Sequence, residues 1–416
     1  MSGLEKYDTG ERSCPEKYDI REGPCPERYY TGEKRCPEQY GSRRLTIIMR
    51  AYRPGDEEGM RACIREEYKD TYYKKDLYQP EFFLKAAGSG SYTFLAAQTK
   101  AGEIAGMLIL ESAVGKTALC CIESLFIRKK YRGYGLAGPF LRYGMEIAQK
   151  RKYAAACCCP VLFHDITQRL LYRMGFRATG FLLNVFGEAE MVHSLKKGKN
   201  RKKSLGLQLL PIGKRNAGTL YVPPEHRKFI AKIYKNLSME FRIVPGSRRM
   251  PENVPGGMRM PEDMPDGIRI SENVSASMRI SENMPGVSQM SCHEEPHQKS
   301  LEIRIWHCGM DLPERMAKIH AGYPQEGMWT VNVFLNMKER CSAWAYGKLR
   351  ELHYFFTGVC SLGNAGEYMI LHYAGGVECF LEEFAAGPEF SEILQYVRKQ
   401  YERRNAHEKK ETQSPP

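Results

Sequence analysis

Two hydrophobic periods alternate along residues 44 to 190. Thr46 to Arg53 and Tyr92 to Gln98 carry apolar and β-branched residues in the manner of strands, and the charged stretch Gly55 to Asp70 between them has the spacing of an amphipathic helix. Glu103 to Glu111 and Ala118 to Ile127 read as two more strands. The period then lengthens, because Ala137, Phe140, Leu141, Gly144, Ile147 and Ala148 recur at helical spacing, with Pro139 tolerated in the first turn. A strand over Ala154 to Leu162, a helix over about Asp165 to Met174 and a strand over Arg177 to Val185 complete this block.

Two repeat segments frame the pattern. Cys14-Pro-Glu-Lys-Tyr18, Cys25-Pro-Glu-Arg-Tyr29 and Cys36-Pro-Glu-Gln-Tyr40 lie in polar surroundings, so residues 1 to 43 read as a disordered, duplicated tail. Four units, MPENVPGGMR, MPEDMPDGIR, ISENVSASMR and ISENMPGVSQ, run from Met250 to Gln289 and recur too often in Pro, Gly and Ser for a helix or strand. Residues 246 to 299 therefore read as a flexible spacer, interrupting a second α/β region at 200 to 245 and 300 to 402, with a polar tail at 403 to 416. Within it, strand-like Met328 to Phe334, helix-like Glu339 to Glu351 and strand-like Tyr354 to Cys360 repeat the order of Ala154 to Val185, which suggests a diverged duplication.

The chain has 416 residues, enough for several domains, with 42% hydrophobic and 27% charged residues, so most of it can bury a core. The net charge of +13 favours anionic partners without choosing among them. The longest apolar run, Tyr153 to Phe163, has the length of a buried strand and not of a membrane span, and the charged start MSGLEKYDTGERS lacks the features of a secretory signal. Adjacent cysteines at Cys120-Cys121 and Cys157-Cys158-Cys159 point to opposite strand faces and read as reduced thiols in a cytoplasmic protein. No metal is expected. The repeat cysteines lack close ligand pairs, and Cys292, His293, His297, His307 and Cys308 fit no zinc spacing. Lys196, Lys197, Lys199, Arg201, Lys202 and Lys203 contain no aromatic residue to stack bases, so the run reads as a solvated loop and not as a nucleic-acid site.

The informative segment is Arg132-Gly133-Tyr134-Gly135-Leu136-Ala137-Gly138, where a predicted strand ends and a predicted helix begins. First-turn amides of a helix lack internal partners and favour an anion, and glycines let a phosphate approach the backbone. Arg128, Lys129, Lys130 and Arg132 add charge suited to a ligand with several phosphates. Gly133, Gly135 and Gly138 also match G-x-G-x-x-G, but a dinucleotide site needs an acid about twenty residues on, and Ala154 to Pro160 contains none. Arg132, Gly135 and Ala137 fit R-x-x-G-x-A. With SLFIRKKYRGYGLAGPFL and LLYRMGF, the chain over about 44 to 190 resembles the GNAT superfamily of acyl-CoA-dependent N-acyltransferases.

That resemblance implies a mixed, mostly antiparallel sheet flanked by helices, followed here by a second α/β region that itself resembles a diverged copy. It implies acetyl-CoA as acyl donor. The strand ending at Ile127 would splay from the strand beginning near Ala154, backbone groups near Phe126 and Ile127 would bond to pantetheine, and the amides of Gly133, Tyr134, Gly135, Leu136 and Ala137 beside Arg132 would hold the pyrophosphate.

Acyl transfer to an amine needs a neutral nitrogen, whose unperturbed pKa is near 10, so a base must take a proton. Glu123 shares a predicted strand face with Leu119, Cys121, Leu125 and Ile127, where desolvation would make a carboxylate more basic, and the resemblance offers it as the base. Tyr172 groups with Asp165 and Gln168, away from the apolar stripe of Ile166, Thr167, Leu170 and Met174, and the resemblance offers it as the acid for the leaving thiolate. The departures from the family pattern are Asp165 and Gln168, where Asn and Ala are common. Tyr72, Tyr73, Tyr78, Phe82 and Phe83 fall where the family often walls the acceptor site, or in core. The expected function is acyl transfer, most simply of acetyl, from acyl-CoA to a primary amine. The alternative is a non-catalytic acyl-CoA sensor.

Overall fold

The computed structural model describes residues 28–36, 41–112, 119–187, 202–213, 218–250, 279–280, 286–295, 298–323, 329–362 and 366–413. The first half of the chain runs β1 (Arg28–Cys36), β2 (Gly41–Ala51), α1 (Glu57–Tyr68), α2 (Pro80–Ser89), β3 (Tyr92–Thr99), β4 (Ile104–Ser112), β5 (Leu119–Ile127), α3 (Ala137–Lys150), β6 (Ala155–Cys158), α4 (Ile166–Arg173), β7 (Arg177–Phe186) and β8 (Lys203–Pro211). These follow the two periods of the sequence closely. The alternation that buries nearly all of β3 and β4 on both faces explains why they sit between helices: α1 and α2 cover one face and α3 the other.

The second half runs β9 (Gly218–Val222), α5 (Arg227–Asn236), β10 (Phe241–Pro245), β11 (Arg279–Ile280), β12 (Gln289–Glu295), β13 (Ser300–His307), α6 (Leu312–Gly322), β14 (Thr330–Asn336), α7 (Ser342–Glu351), β15 (Phe355–Ser361), β16 (Glu367–Tyr373) and α8 (Ser391–Gln413). Strands β9 and β10 form a small parallel pair. All the others join one sheet in the order β1-β2-β3-β4-β5-β6-β8-β7-β15-β16-β14-β13-β12-β11. The expected mixed, mostly antiparallel sheet flanked by helices, with a second α/β region, is what is observed.

The order contains the same unit twice. In the first half β5 is parallel to β6, β6 antiparallel to β8, and β8 antiparallel to β7. In the second, β13 is parallel to β14, β14 antiparallel to β16, and β16 antiparallel to β15. Local detail repeats as well. Phe176 N–H donates to Leu171 O and Gly175 N–H to Tyr172 O, as Tyr354 N–H does to Leu349 O and His353 N–H to Arg350 O. A bulge at Thr179-Gly180 in β7 is matched by one at Thr357-Gly358 in β15, and the two threonine hydroxyls reach Leu207 O and Ile370 O at the same 3.4 Å. The duplication suggested by element order is therefore present in backbone bonds, although little side-chain identity survives.

Four expectations about boundaries are corrected. Residues 28–36 are not tail but strand, because β2 offers them a free edge and they pair with it from Arg28↔Met49 to Cys36↔Gly41. The first unit does not stop at residue 190, since β8, expected in the second region, lies between β6 and β7. The spacer contributes β11 and β12; β12 pairs with β13 and β11 with β12, partners that the sheet supplies and local composition does not. The last helix runs to Gln413 through the expected polar tail. Cys14, Cys25 and most of the ten-residue repeats lie outside the described residues.

The halves meet where β7 and β15 pair, at Gly180↔Gly358. A Cβ on Gly180 would fall 2.6 Å from Gly358 Cα and 2.9 Å from Thr357 O, inside any tolerated contact. One apolar core crosses this junction, joining Leu119, Leu182 and Leu207 to Val333, Phe356 and Ile370. Gly180→Ala should therefore cost about 1–3 kcal/mol by overpacking a backbone contact. A urea titration reads this as a lower midpoint, and an unchanged midpoint would mean that the junction yields freely.

Candidate functional site

Strand β5 leaves its neighbour partway along. It pairs with β6 from Leu119↔Ala155 to Ile122↔Cys158. Beyond that, Cys159-Pro160 turns the chain toward β8, where Gly206 N–H donates to Pro160 O at 2.8 Å and Val161 bridges Leu205. The edge of Glu123 to Ile127 that faces away from β4 thus lies along a gap between strands.

At the end of that gap is the glycine turn. Gly133 and Gly135 hold φ of 85° and 73°, left-handed values that a side chain would strain. Helix α3 follows with Leu136 at its N-cap and no side-chain cap; its first bond is Phe140 N–H to Leu136 O at 3.0 Å, so Ala137 and Gly138 present amides ahead of the helical ladder. The surrounding cations are arranged differently from the expectation of a loose phosphate-binding cluster. Arg128 bonds Glu66 at 2.5 Å and Glu103 at 2.6 Å, Lys130 bonds Glu103 at 2.5 Å, and Arg132 bonds Glu67 at 2.5 Å and donates to Ile127 O at 2.9 Å. These pairs brace the turn against α1 through Glu66 and Glu67 and against the β3–β4 connection through Glu103. An anion here would be held chiefly by backbone amides.

Glu123 occupies a bulge. Ile109 pairs with Ser124 and Leu110 with Ile122, leaving Glu123 between them without a partner on β4. The extra residue reverses the alternation, so Leu125 and Ile127 join the side of the sheet covered by α3, whereas Glu123 turns to the side of Ser124, Phe126 and the α1–α2 aromatics. The expected common face with Leu125 and Ile127 is corrected by this bulge. Glu123 accepts from Tyr73 Oη at 2.7 Å and pairs with Lys74 Nζ at 3.0 Å, and its side chain is 10% exposed. Lys74 also pairs with Glu111 of β4 at 3.3 Å, and Tyr92 Oη donates to the same carboxylate at 3.1 Å. Burial pushes the Glu111 carboxyl up to about 7 against the pull of Lys74. Tyr72 and Phe83 are core residues, so only part of the aromatic stretch borders the carboxylates.

Tyr172 lies on the exposed side of α4, 46% accessible, with the Arg177 guanidinium 4.7 Å from its ring centre. Phe126 is buried against Tyr68 and Tyr72. Cys157 and Cys158 are buried and Cys159 half-buried, and all three thiols are pushed well above their ordinary range, by the neighbouring thiol of Cys121 and burial for Cys157 and by burial first for the other two, which suits core and not nucleophile. Cys292 and His293 lie on β12, His307 and Cys308 at the end of β13, and His297 outside the described residues; among the described residues no group of three or more His, Cys, Asp or Glu is arranged to hold a metal.

The model of the Acetyltransferase (GNAT) family matches residues 58–176, which span α1, the bulged strand, the glycine turn and α4. Those residues, 58–176, are where the chain matches a GNAT acetyltransferase domain. No curated protein matches the chain. Among solved structures it is similar to a Sinorhizobium meliloti GNAT superfamily phosphinothricin acetyltransferase in complex with AcCoA, at 15% identity and TM-score 0.34, over 40% of this chain and 89% of that one. It is also similar to an Escherichia coli GNAT family N-acetyltransferase in complex with CoA, at 21% identity and TM-score 0.26, over 32% and 69%. A Vibrio cholerae spermidine/spermine N-acetyltransferase is 12% identical with TM-score 0.34, over 40% and 93%.

Beyond the GNAT domain, the second half has the same unit without the same openings. Strands β13 and β14 stay paired through Ile305↔Leu335, and Asn336 Nδ2 donates to Trp306 O at 3.0 Å just past the ladder. At the start of α6, Asp311 is the N-cap; its carboxylate makes no side-chain cap bond to the helix and accepts from Ser288 N–H and Oγ at 2.7 Å each, so a negative charge stands beside this helix start where Leu136 stands at α3. Arg350 stands in the position corresponding to Tyr172.

Sequence reading missed Lys74 and Glu111. The only signal was for Glu111, a carboxylate following the apolar run Ile104 to Leu110; Lys74 sits next to Lys75 and Asp76 and gave none. Removing the cation should show their dependence: Lys74→Met leaves two buried carboxylates unpaired, a loss of about 3–5 kcal/mol. The loss should be smaller at pH 6 than at pH 8, because Glu111 is mostly protonated and uncharged below its raised pKa of about 7. Denaturant midpoints for both proteins at the two pH values measure this, and an equal loss at both would exclude a charge origin.

Proposed function

We propose that the chain transfers an acetyl group from acetyl-CoA to a primary amine. The observation that carries this reading is the bulge that turns a buried carboxylate, Glu123, to one side of β5 while the same strand's open edge leads to the uncapped amides of α3. The glycine turn fits a pyrophosphate, since no Cβ obstructs Gly133 or Gly135 and no side chain caps the helix.

In this reading the amides of Gly133, Tyr134, Gly135, Leu136 and Ala137 hold the pyrophosphate, and Arg132, tied to Glu67, shapes the turn. The backbone edge at Phe126 and Ile127 aligns the pantetheine. The acceptor arrives as an ammonium, Glu123 takes its proton, and the freed nitrogen attacks the thioester carbonyl. The C–S bond breaks, the Tyr172 hydroxyl supplies a proton to the departing thiolate, and the nitrogen, positively charged after its attack, gives up its second proton, which restores the phenol and leaves a neutral amide. In this reading the second half, with β13 and β14 paired through Ile305↔Leu335, a carboxylate at the α6 start and Arg350 in the place of the tyrosine, takes no part in donor binding.

Coenzyme A should bind at one equivalent per chain in calorimetric titration. Gly135→Glu should abolish that binding with the circular dichroism spectrum unchanged, because the side chain is strained at φ 73° and repels phosphate. Asp311→Asn should leave it intact. Full affinity in a folded Gly135→Glu protein would sink the donor assignment.

Catalysis has its own test, thiol release from acetyl-CoA across a panel of amines and peptides. Tyr172→Phe should reduce kcat by about 10²-fold or more while coenzyme A affinity holds. Glu123→Gln should lower the rate most well below the amine's pKa of about 10 and least as free amine becomes plentiful. A loss independent of pH would assign Glu123 to packing, and binding without thiol release from any acceptor would oppose transferase activity.

A further inference from the structure

Glu123 does not act alone in its pocket. Lys74 Nζ lies 3.0 Å from its carboxylate and 3.3 Å from that of Glu111, and is 5.6 Å from the centre of the Tyr92 ring. The three side chains are 10%, 6% and 11% exposed for Glu123, Lys74 and Glu111. Two carboxylates thus share one ammonium in a place nearly closed to water. A structural ion pair needs only one of them, and a second buried negative charge is costly unless it can take up a proton. The groups facing Glu111 are Lys74 from the loop after α1, Glu123 across the bulge, Tyr92 of β3 and Cys121, its register neighbour on β5.

We propose that Glu111 is the final acceptor of the proton that Glu123 takes from the acceptor amine, reached through the ammonium of Lys74. This rests on the assignment of Glu123 as base. The balance is simple. The amine nitrogen gives a proton to Glu123; Lys74 Nζ gives one to Glu111 Oε2; Glu123 returns its proton to Lys74. The amine ends neutral, Glu123 is a carboxylate again, Lys74 is an ammonium again, and Glu111 holds the proton as a carboxylic acid. No bond to carbon changes and no oxidant is needed. Burial holds Glu111 near pKa 7, so it can accept from a carboxylate route and still release to solvent at neutral pH. Lys74 and Glu111 are positioning residues in this scheme, since neither touches the amine.

Titration of the full chain labelled with carboxyl-¹³C glutamate tests this without any acceptor. Glu367, buried beside Tyr234 and Ser361, is also raised to about 7 and provides a reference elsewhere in the fold. Two glutamate resonances should titrate near pH 7. Glu111→Gln should remove one and Glu367→Gln the other, so the Glu111 signal is assigned by elimination even if one variant folds poorly. Glu123→Gln should then lower the Glu111 midpoint by about 1 pH unit, because a like charge coupled through Lys74 has gone. Absence of a Glu111 signal in the neutral range, or a midpoint unmoved in Glu123→Gln, would overturn the relay. With an acceptor found in the thiol-release screen, kcat should fall on the acid side near pH 7 in the native protein, and Glu111→Gln should abolish that limb and lower the plateau; a limb retained in Glu111→Gln also overturns it. If no amine is acetylated, the transferase reading fails while the titration still reports on the relay.

Discussion

The close approach of Gly180 and Gly358 governs how the two halves share one sheet. Each copy of the repeated unit ends in a strand whose outer edge needs a partner, and at this crossing the two backbones come too close to admit a Cβ on either strand. Bulges at the same place in both strands bring glycine to the crossing from both sides. The consequence reaches α4. Gln168, fully buried, donates to Val161 O, His164 O and Ala385 O and accepts from Gly387 N–H, so the helix that carries Tyr172 is fastened to a segment of the second half. The second half thereby supports the first without an anion site of its own.

The repeated unit separates what topology dictates from what chemistry requires. A strand, a helix crossing back and a parallel strand create a helix N-terminus beside a strand end in both copies. Whether that N-terminus receives a ligand depends on a few atoms. In the first copy Leu136 cannot cap, and glycines clear the approach. In the second, Asp311 stands at the helix start with its carboxylate held by Ser288 N–H and Oγ and paired with Arg315, without a side-chain bond to the helix amides. The two helix starts therefore differ in the charge beside them and in the glycines that precede the first.

Much of this was legible in the sequence because it is local. The glycine turn needs left-handed backbone at Gly133 and Gly135, the Tyr-x-x-Gly-Phe turn needs the same at Gly175, and such requirements write themselves into short motifs. The elements that escaped are those whose partners are distant. Strands Arg28–Cys36 and Gln289–Glu295 have polar compositions and become strands because an edge is present to pair with them. The face of Glu123 was misread beyond the bulge for a related reason: strict alternation assumes an unbroken ladder, and nothing in Cys-Ile-Glu-Ser-Leu announces the extra residue. Lys74 gave no sign of its burial, because the two carboxylates that hold it come from strands 37 and more residues away.

The bulge also fixes where the buried carboxylates lie relative to the glycine turn a few residues on. On a regular strand, Glu123 would share its face with Leu125 and Ile127, on the α3 side of the sheet. The reversal puts the carboxylates and Lys74 under the α1–α2 aromatics, where burial makes Glu111 hold a proton near neutrality. The turn cations are meanwhile tied to Glu66, Glu67 and Glu103, which keeps them from drawing on the buried carboxylates. A single inserted residue therefore puts Glu123 on the opposite side of the strand from Leu125 and Ile127, beside Lys74 and across from the helix that follows the glycine turn.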